Sequence, residues 1–199
     1  GISVTTGINN TLIGGLAGDA LTDADYNTVL GFNALSADTL GSRAVAIGFE
    51  ALNDQNFTSA TDSYNIAIGF NAGCKVTTGV RNTLIGSKTG DAFTDADYNV
   101  ALGYNALTSD TLGSTSTAIG YAALETQNFT SATNSLNTAV GYLAGTAVTT
   151  GTLNTLVGAN TGDAITTGFD NVAMGRSALT TEVTGRKNVA IGSSALESQ

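Results

Sequence analysis

The sequence predicts an all-β chain, a parallel β-solenoid or β-roll of about eleven rungs. Three observations carry this. A five-residue unit, Asn-β-β-aliphatic-Gly, recurs along the chain, for example as Asn10-Thr11-Leu12-Ile13-Gly14, Asn27-Thr28-Val29-Leu30-Gly31 and Asn188-Val189-Ala190-Ile191-Gly192. Its closing glycines (Gly14, Gly31, Gly48, Gly69, Gly86, Gly103, Gly120, Gly141, Gly158, Gly175 and Gly192) are 17, 17, 21, 17, 17, 17, 21, 17, 17 and 17 residues apart. The composition suits thin rungs and tight turns, with 25 glycines, no proline and only 12% charged residues.

Self-similarity at a fixed short period is the signature of stacked repeats. The steps group into a super-repeat of 72 residues, the distance from Gly14 to Gly86 and from Gly31 to Gly103. Residues 94–99 (TDADYN) repeat 22–27, and 127–133 (QNFTSAT) repeat 55–61. The chain thus reads as a single repeat domain over 1–199, with copies at about 10–81 and 82–153 and an incomplete one at 154–199.

Each place in a rung has its own chemistry. The residue before the anchor glycine is aliphatic throughout, from Ile13 and Leu30 to Met174 and Ile191. Three before it stands a β-branched residue such as Thr11, Val45, Ile66 or Thr117, whose restricted χ1 suits a pleated surface. A small residue or Leu lies between them, so successive side chains alternate between two faces. Three after the glycine comes Ala or Thr, and four after it Leu or Gly, as in Leu35, Leu52, Gly73 and Gly90. The pattern predicts two short strands per rung, broken at the anchor glycine and closed by a turn. Helical repeats need about 33–47 residues, so this period excludes them. Rungs of a parallel solenoid stack about 4.8 Å apart. Asn at the rung start tolerates left-handed geometry, and its amide can bond the same group one rung away. Ala44 and Ser116 interrupt that ladder. The 21-residue rungs carry extra residues around Gln55-Asn56-Phe57 and Gln127-Asn128-Phe129, so Asn56, Phe57, Asn128 and Phe129 are expected to project as a loop from one side of the shaft.

Such a rung encloses little: one aliphatic residue, one alanine and sometimes a leucine. At about 25 cal/mol per Å², this sliver does not offset ordering costs of about 1.5 kcal/mol per residue. The second face, with Leu12, Leu84, Leu156, Ala46, Ala67, Ala118, Ala139 and Ala190, is then expected to point outward, and it is apolar too. The economical cover is further copies of the chain around a three-fold axis. Neither end shows a polar or helical cap over its open sheet edge, which leads us to expect a segment of a longer fibre.

The unit resembles two known kinds of repeat. Asn-[Ser/Thr]-[Val/Ala]-Ala-Ile-Gly-x-x-Ala is similar to the head repeats of trimeric autotransporter adhesins of the YadA type. Asn137-Thr138-Ala139-Val140-Gly141-Tyr142-Leu143-Ala144-Gly145, followed by Thr149-Thr150-Gly151, resembles repeats of bacteriophage tail fibres. The adhesin heads use shorter rungs than the 17 and 21 residues found here. The resemblance implies an intertwined or side-by-side homotrimeric left-handed parallel β-roll with a role in attachment, on an extracellular surface or a virion.

Chemistry is sparse in the sequence. Without histidine, no Ser-His-Asp or Cys-His arrangement exists within the chain, and no enzyme is expected. A glycan-cleaving spike would need a carboxylate pair that breaks the repeat, and none does. The net charge of −9 argues against nucleic acid, which demands clustered Lys and Arg. No apolar run approaches the length that spans a bilayer, so no membrane insertion is expected. The only cysteine, Cys74, forms no intrachain disulfide; the adjacent Lys75 would lower its pKa, but a structural role is expected. Gly86-Ser87-Lys88-Thr89 lacks the earlier glycine and the helix of a phosphate loop.

Two patterns remain as candidates. Asp23-Ala24-Asp25-Tyr26-Asn27 recurs as Asp95-Ala96-Asp97-Tyr98-Asn99, offering oxygen ligands for Ca²⁺, although neither the Gly nor the Glu of a calcium loop follows. The residue after the anchor glycine is aromatic in six rungs: Phe32, Phe49, Phe70, Tyr104, Tyr121 and Tyr142. These are expected to form two stripes interrupted at Ser87, serving either protomer packing or contact with a cell-surface glycan or protein receptor. The function expected from all this is a structural and adhesive fibre segment. The rival is a regular-surface binder such as an ice-binding solenoid, which the irregular occurrence of Thr three before the glycine counts against.

Overall fold

A computed structural model describes residues 1–197. In chain order its strands are β1 (Thr11–Ile13), β2 (Thr28–Leu30), β3 (Gly41–Ser42), β4 (Val45–Ile47), β5 (Thr61–Asp62), β6 (Ile66–Ile68), β7 (Thr83–Ile85) and β8 (Val100–Leu102). There follow β9 (Gly113–Ser114), β10 (Thr117–Ile119), β11 (Thr133–Asn134), β12 (Thr138–Val140), β13 (Thr155–Val157), β14 (Val172–Met174) and β15 (Val189–Ile191). Eleven of them form one parallel sheet in the order β1-β2-β4-β6-β7-β8-β10-β12-β13-β14-β15. Thr11 lies opposite Thr28, Thr28 opposite Val45 and Val45 opposite Ile66, each strand stacking on the next turn of the coil. The chain is an all-β parallel β-solenoid of about eleven turns, without a helix among the described residues.

Each rung has one three-residue strand rather than two. After the anchor glycine the chain turns through left-handed residues, as at Asn33 (φ 56°) and Leu35 (φ 49°), which no strand accommodates. A second strand forms only beside the long rungs, where β3 pairs with β5 and β9 with β11.

The two faces of the strand are reversed from the sequence expectation. The middle residue points inward, so Val29, Ala46, Ala67, Leu84, Ala101, Ala118, Ala139, Leu156 and Ala173 are fully buried. The β-branched and aliphatic residues on either side face outward: Ile13, Leu30, Leu102, Met174 and Ile191 are exposed, Ile191 by 66%. The reason is room. A coil of this girth leaves space beneath the strand for an alanine, or for a leucine where the opposite wall recedes.

That wall is the residue four after the anchor glycine, which is left-handed in every rung. Leu35, Leu52, Leu107, Leu124 and Leu179 hold φ near 50–58°, and Gly18, Gly73, Gly90, Gly145 and Gly162 hold the same conformation elsewhere. Left-handed geometry costs a leucine about 1–2 kcal/mol and glycine nothing, so the leucines are kept for the volume they fill. Leu52, Leu107, Leu124 and Leu179 share their rungs with strand alanines, whereas Gly18, Gly90 and Gly162 share theirs with Leu12, Leu84 and Leu156. A Cβ on Gly90 would lie 3.0 Å from Leu84 Cδ2, and one on Gly162 2.7 Å from Leu156 Cδ2. In these seven rungs the two walls exchange volume. Where both are small, at Ala67 with Gly73 and Ala139 with Gly145, leucines of the neighbouring rungs (Leu52 and Leu84, Leu124 and Leu156) fill the space, as close packing requires.

The Asn ladder runs inside the roll. Asn82 Oδ1 accepts the Asn99 N–H at 3.0 Å and its Nδ2 at 3.1 Å, while Asn82 Nδ2 donates to the Ala96 carbonyl at 2.7 Å. The same bonds recur through Asn137, Asn154 and Asn171. Where Ala44 breaks the row, Asn65 Nδ2 donates to Gln55 Oε1 at 2.8 Å, and Gln55 Nε2 donates to Asp38 Oδ2 at 2.6 Å. Asp38 Oδ1 accepts the Gly41 and Phe57 N–H groups. Asp110, Gln127 and Asn137 repeat the arrangement, with Ser116 Oγ as a further acceptor for Gln127.

These polar centres fix the long rungs. Gln55 and Gln127 are wholly buried, and Phe57 and Phe129 are only 6% exposed. Neither phenylalanine projects as expected: each ring is packed inside because its backbone N–H is held by the buried Asp38 or Asp110. Asn56 is exposed as expected and Asn128 half-exposed, each accepting a hydroxyl from Thr39 or Thr111, and the exposed stretch continues at residues 58–60 and 130–132.

Candidate interaction surface

Among the described residues no pocket is found, and the candidate features lie on the outside of the coil. One feature there is the outward face of the eleven-stranded sheet. One row carries Thr11, Thr28, Val45, Ile66, Thr83 and Val100, and the parallel row Ile13, Leu30, Ile47, Ile68, Ile85 and Leu102, both continuing to Val189 and Ile191. Eleven strands at about 4.8 Å make a strip about 48 Å long and about 10 Å wide, a footprint of about 500 Å². Counting the row in which Thr alternates with Val and Ile, the strip is comparable in size to the largest patch of a typical monomer.

Beyond the anchor glycines run the aromatic residues. Phe32, Phe49 and Phe70 stack in succession, with ring centres 5.7 and 5.3 Å apart and planes 18° and 12° from parallel. Tyr104, Tyr121 and Tyr142 do the same at 5.6 and 5.2 Å. Ser87 separates the two stacks, aligned with Phe70 and Tyr104 through the Lys88 N–H to Phe70 carbonyl and Asn105 N–H to Ser87 carbonyl bonds. All six rings are exposed, yet stacking hides the faces of the inner rings and presents mainly their edges. A flat ligand therefore finds free ring faces only where a stack ends.

A second row lies five residues before each anchor glycine. Tyr26, Arg43, Tyr64, Arg81 and Tyr98 follow one another there, each left-handed. The Arg43 guanidinium sits 4.8 Å from the Tyr26 ring centre and pairs with Asp62 at 3.1 Å. Arg81 lies between Tyr64 and Tyr98, 5.9 and 5.3 Å from their ring centres, and donates to the Tyr98 hydroxyl at 3.1 Å. The signal for this row is in the sequence as well, since aligning the rungs on their glycines brings Tyr26, Arg43, Tyr64, Arg81 and Tyr98 into one column.

The acidic turn residues tie rungs together. Asp25 Oδ1 accepts the Ile8 N–H and Asp97 Oδ1 the Val80 N–H, both at 2.7 Å. Asp23 and Asp95 accept from the hydroxyls of Thr6 and Thr78. Among the described residues no three acidic or sulfur-bearing side chains come together to hold a metal ion. Lys75 turns to Asp54 at 2.9 Å; burial pushes the Cys74 thiol up to about 11 and outweighs the lowering that Lys75 exerts. Burial likewise raises the Asp38 and Asp110 carboxyls, opposed by hydrogen bonds from Gln55 or Gln127 and from backbone N–H groups.

Comparison with protein-family models, with curated proteins and with solved structures gave no match for this chain.

Proposed function

We propose that this chain is a structural and adhesive segment of a fibre, on a virion or an extracellular surface, that assembles as a homotrimer through its outward strand face. The observation that carries the reading is the unbroken aliphatic row from Ile13 to Ile191 over eleven strands, flanked by a row of alternating Thr, Val and Ile, an apolar surface that favours being covered. It replaces the alanine face as the surface to be covered, since those alanines are the interior. Closed three-fold packing would cover three such strips at once. Attachment to a host or surface would then fall to what remains exposed, the aromatic stacks and the residues at 58–60 and 130–132.

Light scattering coupled to size exclusion tests the assembly. Three chains of 19.9 kDa give a mass of about 60 kDa. A stable monomer of 19.9 kDa would overturn the trimer and leave the strip needing another partner. The ice-binding alternative would use the threonines three before the anchor glycine, which face outward as Thr11, Thr28, Thr83, Thr117, Thr138 and Thr155 but give way to Val or Ile in the other five rungs, so no regular threonine face forms. On the far side of the turn Thr22, Thr77, Thr94 and Thr149 donate their hydroxyls to carbonyls of the next rung at 3.1–3.2 Å, which ties the rungs together.

A further inference from the structure

The aromatic row has gaps at regular places. The residue after the anchor glycine is Gly15, Ser87 or Ala159 in the first rung of each 72-residue copy, and Phe32, Phe49, Phe70, Tyr104, Tyr121 and Tyr142 fill the rungs between. At Ser87 the row lacks one ring. Phe70 stacks on Phe49 by one face and Tyr104 on Tyr121 by one face, which leaves their other faces turned toward each other across the serine. Successive rings are 5.2–5.7 Å apart, so the gap spans two such steps and has the depth of one ring. At Ala159 the corresponding gap lies between Tyr142 and Arg176, with one aromatic wall.

We propose that the notch at Ser87 is a sugar-binding subsite that receives one all-equatorial hexopyranose, of the β-glucose type, sandwiched between Phe70 and Tyr104. The choice of guest follows from the two walls. A ring held between two aromatic faces must be apolar on both of its own, and aromatic contacts are favourable at centre distances of about 4.5–7 Å. A pyranose with all substituents equatorial presents axial C–H groups on both faces and turns its hydroxyls outward around the rim. An axial hydroxyl, as in galactose, would press a polar group against one wall without a partner and cost that contact. The notch supplies matching polar groups at its edge, the Ser87 and Tyr104 hydroxyls, neither of which makes a hydrogen bond among the described residues. This inference rests on the adhesive reading and deepens it, by naming what an exposed stack end would hold.

The test is saturation-transfer NMR on the full chain with methyl β-D-glucopyranoside, and with methyl β-D-galactopyranoside as the axial epimer. The expected result is transfer to the glucoside ring protons, with binding weaker for the galactoside by about threefold to tenfold. Ser87→Phe adds the missing ring and should abolish transfer; Tyr104→Ala, an exposed change, removes one wall and should weaken binding by a similar factor if the filled variant does not fold. Absence of transfer to the wild-type chain would overturn the subsite, as would equal transfer from both epimers or binding unaffected by both substitutions. The same sample's mass separates this from the fibre reading: a trimer that ignores the glucoside loses the subsite alone, while a monomer that binds it keeps the subsite and loses the assembly.

Discussion

Asn82→Ala removes one link from the middle of the buried Asn ladder, and its cost can be worked out from the bonds it breaks. The Asn82 side chain is wholly buried. Its loss leaves the Asn99 N–H, held at 3.0 Å, and the Ala96 carbonyl, held at 2.7 Å, without partners. The other two bonds are redundant, because Asn99 Nδ2 keeps the Gly113 carbonyl and Asn65 Oδ1 keeps the Asn82 N–H. Two buried backbone groups left unsatisfied at about 1–3 kcal/mol each predict a loss of about 2–6 kcal/mol. Asn188→Ala is the internal control, because that side chain, at the last rung, makes no hydrogen bond among the described residues and should cost under about 0.5 kcal/mol. Urea unfolding followed by circular dichroism reads the difference, and amide exchange at Asn99 reads it locally. If Asn82→Ala costs no more than Asn188→Ala, the ladder is an ornament of the roll and the reasoning fails.

Gly48→Ala tests the anchor glycine. Gly48 has φ of +131°, and a Cβ there would lie 2.3 Å from the Gly69 carbonyl oxygen of the next rung, so thermal melting should show loss of the cooperative transition; a melting curve like that of the wild type would refute the packing argument. The pH dependence has its own signature at the buried carboxyls. Asp38 and Asp110 sit above the ordinary 3.8 in the folded chain, so between the unfolded and folded values the native state keeps protons that the unfolded state has lost. Their contribution to stability is therefore greatest below 3.8 and falls as pH rises through the raised folded values. Asp38→Asn with Asp110→Asn should remove that fall from the urea midpoints, while lowering stability at every pH because an amide Nδ2 would face the Gln55 or Gln127 donor. An unchanged pH slope in the double variant would show that the buried carboxyls do not cause it.

The class of fold was legible because a parallel solenoid writes its stacking into the sequence as a period. The strand positions, the Asn row and the interruption between Phe70 and Tyr104 all follow from aligning one rung on the next. What the period does not carry is which side of a three-residue strand faces in. Alternation offers two answers, and hydrophobicity favours the wrong one here, since Ile47 and Ile68 are more apolar than Ala46 and Ala67 between and beside them. Volume decides instead. Gly73, Gly90 and Gly162 sit against Leu84 or Leu156 with no room for a Cβ, and a row of isoleucines would not fit where Ala46, Ala67, Ala101 and Ala118 lie.

The same limit explains the long rungs. Gln55 and Asn56-Phe57 have the look of a polar loop, but the sequence also holds the signal that corrects this. The position seven after the anchor glycine is Leu21, Val76, Phe93, Val148 or Ile165 where the wall residue is glycine, and Asp38, Gln55, Asp110, Gln127 or the half-exposed Glu182 where it is leucine. Polar residues in an otherwise interior column are affordable only as a closed network, and Ala44 and Ser116 mark where the Asn ladder leaves a donor for it to take up. The substitutions that seem to weaken the repeat are thus the complement of the residues that seem to interrupt it. A roll built from near-identical rungs gains from this a pair of places that match only one partner rung, which fixes the register of the coil where identical apolar rungs would let it slip.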